Sequence, residues 1–300
     1  MTACRSTSGY FYWRPRVRCS VAGTATWRTS SACPIRSRAG RPRWWRDRRP
    51  RWHDGNGPTH EVEAPPLTHA NGLGGFTAGG REYAIVLNGD ADTPLPWVNV
   101  IANERFGTVV GATGAAWTWA ANSRENRLTP FGNDPVSEFS GEAVYLRDED
   151  RGNTWGATPG PLPRRRDDGR WVTRHGAGVT RYAHSAHGIT CQLAVFVHAD
   201  EPVKLSWLSL TNHDRETRRL SVFAYNEWAL CPPRAGEHRF VITEQDPATG
   251  AGAGAQSLQL RLPGTRGVRA RERAARIGDR RPARVPGAER LAAAAGGPGA

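Results

Sequence analysis

The densest set of residues able to bind or react runs from Trp117 to Pro135 and reads Trp-Thr-Trp-Ala-Ala-Asn-Ser-Arg-Glu-Asn-Arg-Leu-Thr-Pro-Phe-Gly-Asn-Asp-Pro. Sugars present apolar C–H faces and rims of hydroxyls. Indole rings can cover the faces, while amides, carboxylates and guanidinium groups pair with the hydroxyls. Trp119, Asn122, Arg124, Asn126, Arg127 and Asp134 are the members of this stretch suited to that work. The same arginines could hold a phosphate bidentately. An ordinary surface loop whose arginines pair with its own acids fits the residue types as well. Glycoside cleavage needs two carboxyls at a set separation; Glu125, Asp134, Glu138, Glu142, Asp148 and Glu227 are candidates, and nothing singles out a pair. His175, His184 and His187 lie among Gly176, Gly178 and Gly188. They read as hydrogen-bonding residues near turns, because a metal needs further ligands at fixed geometry. Gly72–Gly75 lacks the Lys-Ser/Thr ending of a nucleotide loop.

The elements that must carry these residues are strands. From about His69 to Thr249, turn signals alternate with short β-rich runs, the pattern of a sandwich or barrel. Expected strands are Glu82–Leu87, Glu142–Arg147, Trp171–Arg174, Gly178–His184, Ile189–Val197, Val203–Leu210 and Arg219–Leu230. The last three have apolar residues in both alternation phases, which predicts burial on both sides. His213–Glu216 is polar and predicts a hairpin between the last two.

The formal charge of +13, from 41 basic and 28 acidic side chains, is unevenly spread. Residues 1–59 hold 13 Arg against Asp47 and Asp54, giving +11, and residues 250–300 hold 10 Arg against three acids, giving +7. The span between them carries −5, and Lys204 is the single lysine of the chain. Arginines interleaved with tryptophans, as in Arg41–Trp52, could bind nucleic acid or an anionic surface. Arginine at 40 to one over lysine instead suggests codon bias in a GC-rich gene, with a shifted frame or gene fragment at each end. Residues 1–60 show no hydrophobic period and residues 261–300 have too little apolar surface to offset the entropy of ordering, so both ends are expected to be disordered or out of frame. No run of 18 apolar residues exists, and no secretory leader is evident. The five cysteines show no metal spacing and suit a reducing, cytoplasmic setting.

Several stretches in order carry a family resemblance. Asn71–Phe76, Gly80–Tyr83, Pro96–Asn103, Arg105–Gly107, Asn122–Pro135, Gly141–Asp148, Arg174–Gly176, Asp200–Lys204 and Tyr225–Trp228 together resemble the N-terminal sandwich of glycoside hydrolase family 94, formerly glycosyltransferase family 36. The details are most similar to the phosphorylase-like region of cyclic β-1,2-glucan synthases, with cellobiose and chitobiose phosphorylases more distant. The resemblance implies an all-β, large antiparallel supersandwich over residues 66–250, between a basic segment 1–60 and an Ala/Gly/Arg tail 251–300. It implies inverting phosphorolysis of a β-glucoside, with inorganic phosphate as co-substrate and no other cofactor. The acid belongs to an (α/α)6 barrel that this chain is expected to lack, so no catalytic residue is assigned. The sandwich is expected to shape sugar subsites through Trp119, Asn122, Arg124, Asn126, Arg127 and Asp134, with a β-glucan or oligosaccharide and the barrel as partners. Nucleic acid is not expected as a partner. A stand-alone sugar-binding module and an arginine-rich binder of anionic surfaces remain as alternatives.

Overall fold

The computed structural model describes residues 10–21, 60–230 (without 78, 133, 135–137 and 139), 240–245, 251–256 and 269–273. One layer is an 11-stranded sheet. Its middle is β4 (Glu82–Asn88), β10 (Arg170–Gly176), β11 (Val179–Ala186), β12 (Ile189–Val197) and β13 (Val203–Asn212). Beyond β4 lie β3 (Gly74–Thr77) and β2 (Leu67–Thr68). Beyond β13 lie β1 (Tyr10–Val21), β17 (Arg269–Arg273), β16 (Ala251–Gln256) and β15 (Val241–Gln245). The pairings are antiparallel except that β1 runs parallel to both β13 and β17. The described residues of the two ends expected to be disordered are therefore strands. Tyr10–Trp13 and Val17 are β-favouring types, and β13 would otherwise present an open edge to them.

Two three-stranded sheets form the second layer: β5 (Val98–Ala102), β6 (Phe106–Gly111) and β7 (Ala116–Ala120) in one, and β14 (Leu220–Asn226), β8 (Glu142–Asp148) and β9 (Thr154–Gly156) in the other. Their inner faces share one core with the large sheet. Ile101, Val110 and Ala116 come from the first, Leu146 and Trp155 from the second, and Tyr182, Ile189, Leu193, Leu208 and Leu210 from the large sheet. Each fully buried large aliphatic contributes about 1.5–3 kcal/mol. The layers are also pinned by hydrogen bonds: Tyr182 Oη donates to the Gly111 carbonyl at 2.7 Å, and Thr173 Oγ1 to that of Ala112 at 2.9 Å.

Two expectations are corrected. In β12 and β13, burial alternates along the strand, so one side of each faces the core and the other does not. A two-layer sandwich buries one face per strand, and the outward apolar residues are only partly covered. On β14 the outward Phe223 and Tyr225 are about half exposed, at 51% and 48%. The predicted hairpin after β13 is absent: β13 pairs with β12 and β1, while β14 pairs with β8 in the other layer. The crossing is fixed by charge. Arg218 is buried and bonds Asp148 of β8, Asp214 of the connection and the His187 carbonyl at 3.0 Å. Among the described residues no helix is long and apolar enough to cross a membrane.

Candidate functional site

Strand β7 alternates cleanly. Ala116, Thr118 and Ala120 are buried, while Trp117 and Trp119 face outward and are partly covered. Cross-strand register puts Trp117 opposite Val109 and Trp119 opposite Gly107. A Cβ at Gly107 would collide with the Trp119 indole, so the ring lies directly over that backbone. Trp117 stands 4.8 Å from Trp119 and 4.5 Å from Phe131, centroid to centroid. The guanidinium of Arg127 lies 5.6 Å from the Trp117 ring and 5.2 Å from Phe131, within cation–π range. The result is a three-ring stack with Arg127 against it.

The loop after β7 folds on itself through Asn122. Its Oδ1 accepts the backbone N–H groups of Arg124 and Glu125, each at 2.9 Å, and its carbonyl accepts that of Asn126 at 3.0 Å. Asn126 returns the chain to β7 by accepting the Ala120 N–H at 3.1 Å, and Trp119 bridges to Arg127. Arg127 Nε donates to the Ser123 carbonyl at 3.2 Å.

Beneath the rings is a buried ionic network. Lys204 Nζ donates to Glu142 Oε2 at 2.6 Å and to Thr108 Oγ1 at 3.1 Å. Glu142 Oε1 accepts the hydroxyls of Thr118 at 2.6 Å and Thr129 at 2.8 Å. Thr129 Oγ1 in turn accepts the Thr118 backbone N–H at 2.8 Å. Burial pushes the Glu142 carboxyl up, but the Lys204 ammonium and the two hydroxyls outweigh it and hold it below 4.5. The inward residue between the two tryptophans is therefore fastened to β6, β8 and β13 at once.

The sequence-predicted residues fall into two groups. Trp119, Asn126 and Arg127 belong to the ring stack and the return of its loop. Asn122 caps the turn, and Arg124 is exposed and pairs with Glu125 at 3.4 Å. Asp134 is exposed further along the loop. Trp117 and Phe131, from the same stretch, complete the stack; Trp117 and Trp119 are two apart in sequence, hence on one strand face. Of the six candidate carboxylates, Glu142 and Asp148 are tied into structural ion pairs. Glu138 differs. It lies over Gly111, bonded by the Thr113 hydroxyl, and burial raises its carboxyl to about 7, with Asp92 adding to the rise and hydrogen bonding from Thr113 opposing it.

Three polar atoms of this region are buried without a hydrogen-bond partner: Trp117 Nε1, Asn126 Oδ1 and Glu138 Oε1. One donor and two acceptors left this way cost about 1–3 kcal/mol each. The histidines act as structural hydrogen-bonders. His175 Nδ1 meets Thr180 Oγ1 at 3.0 Å, His187 Nδ1 meets Asn153 Nδ2 at 3.2 Å, and His184 stacks on Trp171 at 3.5 Å. Cys191 is a core thiol pushed up to about 12 by burial, and Cys231 lies outside the described residues.

Comparison with known proteins agrees with this architecture. Cyclic beta-(1,2)-glucan synthase NdvB of Rhizobium meliloti (strain 1021) is 38% identical over 204 residues, 68% of this chain and 7% of the relative. Solabiose phosphorylase of Paenibacillus borealis is 33% identical over 162 residues, covering 53% and 20%. N,N'-diacetylchitobiose phosphorylase of Vibrio furnissii is 28% identical over 157 residues, covering 52% and 19%. The chain thus spans a fifth or less of the length of these relatives. The family description "Glycosyl hydrolase 94, supersandwich domain" matches residues 81–260, and the chain belongs to that family.

Proposed function

We propose that this chain is a saccharide-holding module: it presents the Trp119–Trp117–Phe131 stack, with Asn122, Arg124, Asn126, Arg127 and Asp134 around it, to a neutral β-linked glucan. The observation that carries the reading is the packing of three outward rings, Trp119, Trp117 and Phe131, with the Arg127 guanidinium against them. Rings cover the C–H face of a pyranose, and hydroxyls can both donate and accept. Rim charge favours an uncharged ligand. Glu104, Glu125, Asp134, Asp200, Glu201 and Glu227 outnumber Arg105, Arg124 and Arg127 on the loops at this end. Those loops are joined: Arg105 Nη2 donates to the Asp200 carbonyl at 2.6 Å, and the Arg105 carbonyl accepts the Ala121 N–H at 2.7 Å. The names of the relatives point to β-1,2-glucan and to disaccharides as the ligand class.

Chemistry belongs to a helical barrel working with inorganic phosphate, and the chain by itself turns nothing over. Calorimetric titration with the β-1,2-linked glucose disaccharide tests the binding. The chain should bind it, and Trp119→Ala and Arg127→Ala should each weaken binding at least about tenfold, roughly 1.4 kcal/mol. Absence of binding by the unaltered chain, or equal affinity in both variants, overturns the reading. Release of glucose 1-phosphate from a β-1,2-glucan and phosphate by this chain overturns the claim that it is catalytically incomplete.

A further inference from the structure

The outer face of the second layer carries another aromatic group. On β8 and β14, Val144, Leu146 and Val222 face the core, so Tyr145, Phe223 and Tyr225 face away from it. Phe223 pairs across the ladder with Tyr145, and Tyr225 with Ala143. Phe223 and Tyr225 are two residues apart on one strand face, roughly 7 Å along it. Burial raises the Tyr145 phenol above its ordinary range, and the Tyr225 phenol adds to the rise, which places the two hydroxyls within electrostatic reach.

The strand ends that carry this strip are joined through the backbone to β7, which carries the ring stack. Leu128 N donates to the Thr118 carbonyl at 2.8 Å, and the Leu128 carbonyl accepts the Ala229 N–H at 2.9 Å. The Glu227 N–H, next to the end of β14, donates to the Gly141 carbonyl at 2.8 Å, next to the start of β8. One hydrogen-bonded path therefore leads from β7 to the Tyr225 end of the strip.

Composition says what would lie there. The exposed residues on β5, Val98 and Val100, are aliphatic and at 51% and 61% exposure resemble an ordinary protein contact. On β8 and β14 every large outward apolar residue is aromatic, two of three carry hydroxyls, and Ser221 shares the face. Arg147, also outward, is paired with Glu149 at 3.6 Å, so no free cation calls for an anion. Resting on the saccharide reading above, the geometry points to Tyr145, Phe223 and Tyr225 as a second contact for the same glucan: units beyond the first pair at the β7 stack run over Tyr225 and then Phe223.

The test compares a linear β-1,2-linked disaccharide with the corresponding hexasaccharide, titrated into the full chain and into Phe223→Ala/Tyr225→Ala. Two further ring contacts predict roughly tenfold tighter binding of the hexasaccharide, about 1.4 kcal/mol. The double variant should lose that gain, keep its disaccharide affinity within about twofold, and unfold at the same temperature as the unaltered chain. Trp119→Ala should weaken both ligands. Equal affinity of the unaltered chain for both lengths overturns the second contact and leaves the first site standing. A gain retained in the double variant, or disaccharide binding lost with it, also overturns the second contact. Failure of both sugars to bind the unaltered chain overturns the first site as well. Sedimentation showing a dimer that the double variant dissociates assigns the strip to a second copy and overturns the proposal.

Discussion

Lys204 is the chain's single lysine, and it is one of the most enclosed charges among the described residues, with 5% of its side chain exposed against 10% for Glu142. At this one basic position that is not arginine, a compact ammonium fits among Thr108, Thr118 and Glu142. Removing one partner leaves the other charge buried and unpaired. Lys204→Met should destabilise the fold by about 3–5 kcal/mol in urea unfolding, and Lys204→Met with Glu142→Leu should recover most of the loss. The pH dependence has a definite sign. Glu142 is held below 4.5 in the fold, so its stabilisation is present above that pH and is lost as pH falls through the folded value. The double variant should therefore be less sensitive to acid than the unaltered chain. None of this pairing was readable in advance, because Glu142 looked like any other carboxylate and its partner lies 62 positions away. Trp119, Asn126 and Arg127 were readable, since ring and polar types cluster locally. The use of Asn122 as a turn cap was not.

At the scale of elements, outer-face fit decides what the stack can do. The Gly107 backbone is the floor of Trp119, and Gly107→Ala should push the indole away at a cost of about 1–3 kcal/mol. A red shift in tryptophan fluorescence with weakened sugar binding is the expected result; an unchanged spectrum would show that the ring does not rest there. Among the described residues of the stretch beginning at Phe131, the Phe131 ring lies on Trp117 and Glu138 lies over Gly111. Glu138 titrates at about 7 in the fold against 4.5 when unfolded, near Asp92 and Tyr182. Its contribution is whole below pH 4.5 and is lost as pH rises through 7. Chemical denaturation should show stability falling across that window, and Glu138→Gln should flatten the slope. Strand positions such as Ile189–Val197 were legible because β-rich composition is local. The partner of β14 was not, because the buried Arg218 that sends it to the other layer is one more arginine in a chain that has 40.

At the scale of the whole molecule, the two small sheets act as one layer, and the face they turn outward carries the rings. Hydrophobic alternation predicts strands but cannot say which of two apolar phases faces the core, so an outward Phe223 or Tyr225 reads as buried until the second layer is located. Charge separates what the domain binds from what the ends can attract. Residues 60–249 carry −5, while 1–59 and 250–300 together carry +18. A neutral glucan on the outer face has no counterions to release, so its affinity should change less than twofold between roughly 50 and 200 mM salt. Any single-stranded DNA held by the arginine-rich ends should weaken steeply over the same range, with a slope near −0.7 per phosphate neutralised. The two ligands should also bind together, because one uses rings of the second layer and the other uses the ends. Calorimetric titration of the disaccharide into DNA-saturated chain checks this: unchanged affinity is expected, and competition would place the anion on the same loops as the sugar, against the acidic rim described above.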